Sequence, residues 1–105
     1  MVERLVGAVR HSALSEIHGW AEAEDRDAIR KTYHFADFSE AFGFLVRVAL
    51  LAEKMDHHPE IFNVHNRVEL ILSTREVEGL SERDIDLARA IDEIAPERDR
   101  ASALS

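Results

Sequence analysis

Cysteine is absent from this chain of 105 residues, which excludes disulfides, cysteine-ligated metals and thiol nucleophiles. Proline is scarce: only Pro59 and Pro96 occur, and each reads as the stop of a helix. No apolar run approaches the length of a membrane span, and the first ten residues lack the apolar core of a signal peptide, so the expectation is a soluble, cytoplasmic protein with no membrane partner. Basic residues are the minority, 13 Lys and Arg against 21 Asp and Glu, and the net charge of −8 disfavours a direct nucleic-acid surface. Any effect on transcription would have to pass through another protein. Internal repeats, low-complexity tracts and the His-Glu-x-x-His arrangement of zinc hydrolases are missing as well.

What remains is a chain with 46% hydrophobic and 32% charged residues, enough to bury the core of a single domain over 1–105. Residues 1–18 read as a variable N-terminal segment in which Leu5, Val9, Leu14 and Ile17 suggest a short amphipathic helix. Gly19 breaks that segment, and Trp20 to about Glu24 forms a short extended piece that turns into Ile29–Phe35. There Ile29, Lys31, Tyr33 and Phe35 share one face of a strand, while Arg30, Thr32 and the exposed His34 share the other. Phe38 to Met55 is the long helix, started by Asp37 or Ser39. Its polar stripe is narrow, and apolar residues cover about two-thirds of its circumference. A helix on one sheet needs less, so the excess points to a second burial surface, most simply a partner subunit; the alternative is a monomer with unusually apolar helix flanks. A second hairpin follows, Ile61–Val64 and Arg67–Arg75 about a His65-Asn66 turn, with Val68, Leu70 and Leu72 facing the core. Ser81 caps the last helix with Asp84 at capping-box spacing, Ile85, Ala88, Ile91 and Ile94 or Ala95 form its apolar stripe, and 97–105 reads as a mobile tail. The segregation of strands and helices predicts an α+β domain, a four-stranded antiparallel sheet with helices packed on one face.

The stretch Glu53-Lys54-Met55-Asp56-His57-His58-Pro59-Glu60 is where function is expected. Pro59 ends the long helix at about Met55 to His57, leaving two adjacent imidazoles at the helix exit with Glu53, Asp56 and Glu60 close by. A carboxylate beside an imidazole favours its protonated form and orients the ring, which suits proton transfer near neutral pH. The plainer reading is a solvated cap favoured by the helix dipole. Glu53 and His57 lie i, i+4, with His65 as a third candidate metal ligand, but adjacent histidines point in different directions and no metal is expected. Trp20 either lines a ligand cleft or covers the sheet edge.

The run from Ala52 to Val64, with Leu72-Ser73-Thr74 and Gly79-Leu80-Ser81-Glu82-Arg83-Asp84, resembles the pterin-4a-carbinolamine dehydratases, the family also known as the dimerisation cofactor of a hepatocyte homeodomain transcription factor. Upstream, Gly19-Trp20, Arg26-Asp27-Ala28-Ile29, His34-Phe35, Asp37-Phe38 and Ala41-Phe42-Gly43-Phe44 extend the similarity, so that it spans roughly Gly19 to Ile94. The resemblance implies dehydration of a 4a-hydroxytetrahydropterin to the quinonoid dihydropterin, as in tetrahydrobiopterin recycling, with the pterin as substrate and no cofactor. It assigns His57 as principal acid/base, His58 as substrate-binding group or second proton carrier, and Asp84 as orienter. Glu53, Asp56, Pro59, Trp20, Ser73, Thr74, Arg75 and Arg83 would bind substrate or support the site. It also implies self-association as a dimer or tetramer, and as an alternative role a transcriptional coactivator that binds its protein partner through helix 38–55, with vestigial catalysis. Two departures stand out. The family has an aromatic residue where this chain has His65, and a third active-site histidine where this chain has Arg75. Arginine stays protonated and cannot serve as base, so lowered or altered activity is expected. The strand pattern places Arg75 on the face away from the core.

Overall fold

In the computed structural model, which describes residues 2–96, alternate burial along two strands sets the architecture. In β2 (Ile29–His34) Ile29, Lys31 and Tyr33 are buried and the residues between them exposed. In β4 (Arg67–Leu72) the same alternation buries Val68, Leu70 and Leu72. The two pair antiparallel from Ile29↔Leu72 to His34↔Arg67 and form the centre of a four-stranded antiparallel sheet. Its order is β1-β2-β4-β3, with β1 (Ala21–Glu22) and β3 (Glu60–Val64) at the edges. The buried face receives α2 (Phe38–Met55), whose Phe44 ring lies 5.0 Å from both Tyr33 and Phe35. α3 (Glu82–Ile94) packs beside α2 and buries Ile85, Leu87, Ala88 and Ile91. The expected α+β arrangement, with its sheet and its two main helices, is what forms.

Three local readings change. α1 (Gly7–Ser15) is a helix, but Val9 is exposed and Ala13 is the residue it buries; Leu5 and Ile17, both buried, lie outside it. The first hairpin arm shrinks to the two residues of β1, because Trp20 turns to the core instead of extending the edge. β4 ends at Leu72 rather than Arg75, since β2 begins at Ile29 and offers no partner beyond Leu72. Arg75 therefore opens a 3₁₀ turn, η1 (Arg75–Val77), and its position is not set by strand alternation. The helix starts are as the capping residues predict. Asp37 accepts from Glu40 N–H at 2.8 Å, and Ser81 and Asp84 form the reciprocal capping box. The tail expected over 97–105 lies outside the described residues.

Candidate active site

The site begins with the way α2 stops. Asp56 adopts φ 53° and ψ 42°, the left-handed conformation that closes a helix, and its N–H reaches the carbonyls of Ala52 and Glu53. The chain reverses there, and Pro59 prevents the helix from resuming. The adjacent histidines consequently diverge. His57 turns inward, 8% exposed, and its Nε2 lies 2.6 Å from Oδ1 of Asp84, which is wholly buried. His58 turns outward, with Nε2 2.8 Å from Oε1 of exposed Glu53.

Asp84 is held from below by the chain that follows β4. Thr74 and Gly79 form an isolated antiparallel bridge, Thr74 N–H donating to Gly79 O at 2.8 Å and Gly79 N–H to Thr74 O at 3.3 Å. That closed loop aims the buried Thr74 hydroxyl at Asp84, to which it donates at 2.7 Å. Ser81 N–H donates to the same oxygen at 3.0 Å, and the Ser81 and Thr74 hydroxyl oxygens are 2.6 Å apart. Beneath the loop, Asp27 anchors it to the N-terminal segment. Arg4 donates to Asp27 Oδ2 at 2.9 Å, Leu80 N–H donates to the same oxygen at 3.3 Å, and Arg10 approaches Oδ1 at 2.9 Å as an ion pair without hydrogen-bond alignment. Burial raises the pKa of this carboxyl, but the donors from Arg4 and Leu80 and the adjacent positive charge of Arg10 outweigh it and leave the pKa below its ordinary value.

Above these buried groups opens a cleft of about 400 Å³, lined by Asp56, His57, His58, Ser73, Arg75, Glu76 and Arg83. A neighbouring cavity of about 460 Å³ shares His58, Ser73 and Arg75 with it and extends past Thr74 to Arg26 and Glu78. Both lie within the usual size range of small-molecule sites, about 300–1,000 Å³. The Arg83 guanidinium donates to Glu76 at 3.1 Å, and Ser73 Oγ donates to the Asp27 carbonyl at 2.9 Å, so both walls are fixed. The Arg75 side chain is exposed and has no hydrogen-bond or ion-pair partner among the described residues.

Most of the residues expected at the site are thus gathered: His57, His58, Asp84, Glu53, Asp56, Ser73, Thr74, Arg75 and Arg83, with half-buried Pro59 shaping the turn. Asp56 contributes through its backbone conformation. Trp20 is elsewhere. Its indole N–H donates to Asp92 at 2.9 Å, and its ring meets Tyr33 edge-on at 6.4 Å. Asp92 also receives Lys31 Nζ at 2.8 Å and the Tyr33 hydroxyl at 2.7 Å, which ties α3 to β2. Sequence reasoning missed that clamp, although Lys31 on a core-facing strand position signals the need for a buried carboxylate. It also treated Ser81 only as a cap. Glu53 meets His58 and not His57, so the i, i+4 metal pair does not form. His65 sits at the tip of the β3–β4 hairpin with φ 53°.

The family model of pterin 4 alpha carbinolamine dehydratase matches residues 3–94. The chain belongs to that family. The match begins well upstream of Gly19, so the N-terminal segment that clasps Asp27 is part of it. A relative from Rhodopseudomonas palustris (strain BisB18), named for pterin-4-alpha-carbinolamine dehydratase, a hydro-lyase activity, is 57% identical over 95 residues, covering 90% of this chain and 94% of its own. One of the same name from Paraburkholderia xenovorans (strain LB400) is 52% identical over 94 residues, covering 90% and 98%. Among solved structures, a transcriptional coactivator/pterin dehydratase from Brucella melitensis superposes with a TM-score of 0.84 at 45% identity, over 90% of this chain and all of that one. A pterin dehydratase-like RuBisCO assembly factor of the alpha-carboxysome is similar with a TM-score of 0.63 at 25% identity, over 72% and 88%. The pterin dehydratase fold thus serves in proteins described by catalysis and in proteins described by assembly.

Proposed function

We propose that this chain dehydrates a 4a-hydroxytetrahydropterin by histidine acid/base catalysis. The observation that carries the reading is the His57 ring, clamped to buried Asp84 at 2.6 Å while it lines a cleft shared with His58, Ser73 and Arg75. In the reaction the bond between C4a and the hydroxyl oxygen breaks with its electron pair on oxygen, which leaves as water once an acid has protonated it. The neighbouring ring nitrogen gives its proton to a base, and a carbon–nitrogen double bond forms between the two centres. One proton is delivered and one removed, with no net oxidation. Imidazoles suit both transfers near neutral pH. His57 is the principal acid/base, and His58, braced by Glu53, binds substrate or carries the second proton. Arg75 occupies the place of a family histidine. It donates hydrogen bonds to the pterin or stabilises the departing oxygen, and turnover is lowered accordingly. The chain needs no metal or organic cofactor in this scheme.

The test is dehydration of freshly generated 4a-hydroxytetrahydrobiopterin, followed by absorbance, in wild type, His57→Ala and Arg75→His. We expect a rate above the spontaneous one, lowered about 100-fold or more in His57→Ala and raised in Arg75→His. A wild-type rate equal to background would refute the enzymatic reading.

A second reading has its own observation. Phe38, Phe42, Val46 and Leu50 form an exposed apolar stripe on α2, with Leu50 67% exposed. Such a stripe fits self-association as a dimer or tetramer, or a protein partner of the kind a coactivator binds.

A further inference from the structure

The hydrogen atoms around Asp84 can be accounted for one by one. Thr74 Oγ1 has a single hydrogen and donates it to Asp84 Oδ2 at 2.7 Å. The 2.6 Å contact between Thr74 Oγ1 and Ser81 Oγ therefore uses the hydrogen of Ser81. Ser81 Oγ in turn accepts from Arg83 N–H at 3.2 Å. Ser81 N–H also donates to Oδ2, at 3.0 Å. Every neighbour of Asp84 is thus a donor, which suits an ionised carboxylate, and Oδ1 is left to accept from His57 Nε2 at 2.6 Å. The imidazole must then carry its hydrogen on Nε2. The other ring nitrogen has no hydrogen-bond partner among the described residues. Among the described residues the only fully buried side-chain polar atom without a partner is Asp27 Oδ1, so the unpartnered His57 Nδ1 is not fully buried, and His57 is one of the residues that line the cleft.

We infer that the Ser81–Thr74 hydroxyl pair is a positioning device that orders the protons on Asp84, locks His57 in its Nε2–H form, and so makes Nδ1 the atom that exchanges a proton with the pterin. The Ser81 and Thr74 side chains are both fully buried and act through the carboxylate. The inference rests on the dehydratase reading for the identity of the substrate but not for the state of the ring. The same directionality distinguishes the two histidines. His58 and its partner Glu53 are both exposed, with no buried hydroxyl behind the carboxylate, so nothing comparable fixes its tautomer.

Long-range proton–nitrogen correlation spectra of the ¹⁵N-labelled full chain, recorded above the imidazole titration, test the ring directly. His57 signals are assigned by their loss in His57→Gln. Wild type should show a protonated-type Nε2 and an unprotonated-type Nδ1. A ring with its hydrogen on Nδ1 overturns the inference whether or not the chain turns over pterin. Thr74→Val and Ser81→Ala should populate the second tautomer and lower kcat about tenfold with KM nearly unchanged, and Thr74→Ser should restore both readouts. Unaltered tautomer and kcat in the folded variants would reduce the hydroxyls to a helix cap. Should Thr74→Val fail to fold, Ser81→Ala and Thr74→Ser carry the comparison. Absence of turnover in wild type would sink the dehydratase reading alone, because the spectra still decide the tautomer.

Discussion

At the scale of single residues the site is a contrast between side chains with many partners and one with none. Asp84 accepts three hydrogen bonds: Oδ2 receives the Thr74 hydroxyl and the Ser81 N–H, and Oδ1 receives His57 Nε2. The Arg75 side chain, in the wall of the same cleft, has no hydrogen-bond or ion-pair partner among the described residues. Asp27 shows how such a network responds to acid. Its folded pKa lies below the ordinary 3.8, so the unfolded chain takes up the proton first as pH falls. The stabilisation it provides is therefore complete above the unfolded value and is lost as pH drops through the lower, folded one. Asp27→Asn should cost about 1 kcal/mol near neutrality, discounted for partial exposure, and the gap in Tm between the two proteins should close below about pH 4. A gap that widens in acid would reverse the sign of that linkage.

At the scale of elements, the connections decide where chemistry happens. The loop closed by Thr74 and Gly79 has no room for a larger residue at its end: a Cβ on Gly79 would lie 2.2 Å from Asp27 Oδ2 and 2.8 Å from Arg4 Nε. Gly79→Ala should displace Asp27 and with it the loop, lowering stability by about 1–3 kcal/mol in urea unfolding and weakening the hold on Thr74. The clamp between β2 and α3 makes a second test. Asp92→Ala strands the buried Lys31 ammonium and should cost about 3 kcal/mol, whereas a loss below about 0.5 kcal/mol would mean that Lys31 escapes to solvent. These elements also mark what the sequence makes legible. Helix α2, its Asp37 cap and the Ser81–Asp84 box are local patterns that predict their own boundaries, and the β2 and β4 alternation predicts which residues face the core. The divergence of His57 from His58 follows from Pro59 and the helix stop. Contacts such as Asp92 with Trp20 or Asp27 with Arg4 join segments far apart in the chain, and no periodicity encodes them. The end of β4 was illegible for a related reason: it is set by where its partner strand begins, not by residues 73–75.

At the scale of the whole molecule, an acidic chain of net charge −8 carries an apolar stripe along α2 and apolar residues on its edge strand, including Phe62 and Val64. Net charge keeps copies apart at long range, and apolar area draws them together at contact. If the stripe is the self-association surface, Phe42→Glu with Leu50→Glu should convert the assembly to monomers in light scattering while leaving the helical circular dichroism unchanged. An assembly that survives both substitutions would shift attention to the edge strand β3.

The lone guanidinium of Arg75 has a consequence for how this scaffold can change. A side chain without partners can be exchanged without repacking a neighbour, because the 3₁₀ turn beneath it is held by backbone hydrogen bonds and by Gly79, not by the residue displayed. Position 75 is therefore a place where natural variation or a laboratory library can sample acids, bases and neutral donors against one fixed imidazole, with the folding free energy almost indifferent to the choice. Chemistry can drift there while architecture stands still.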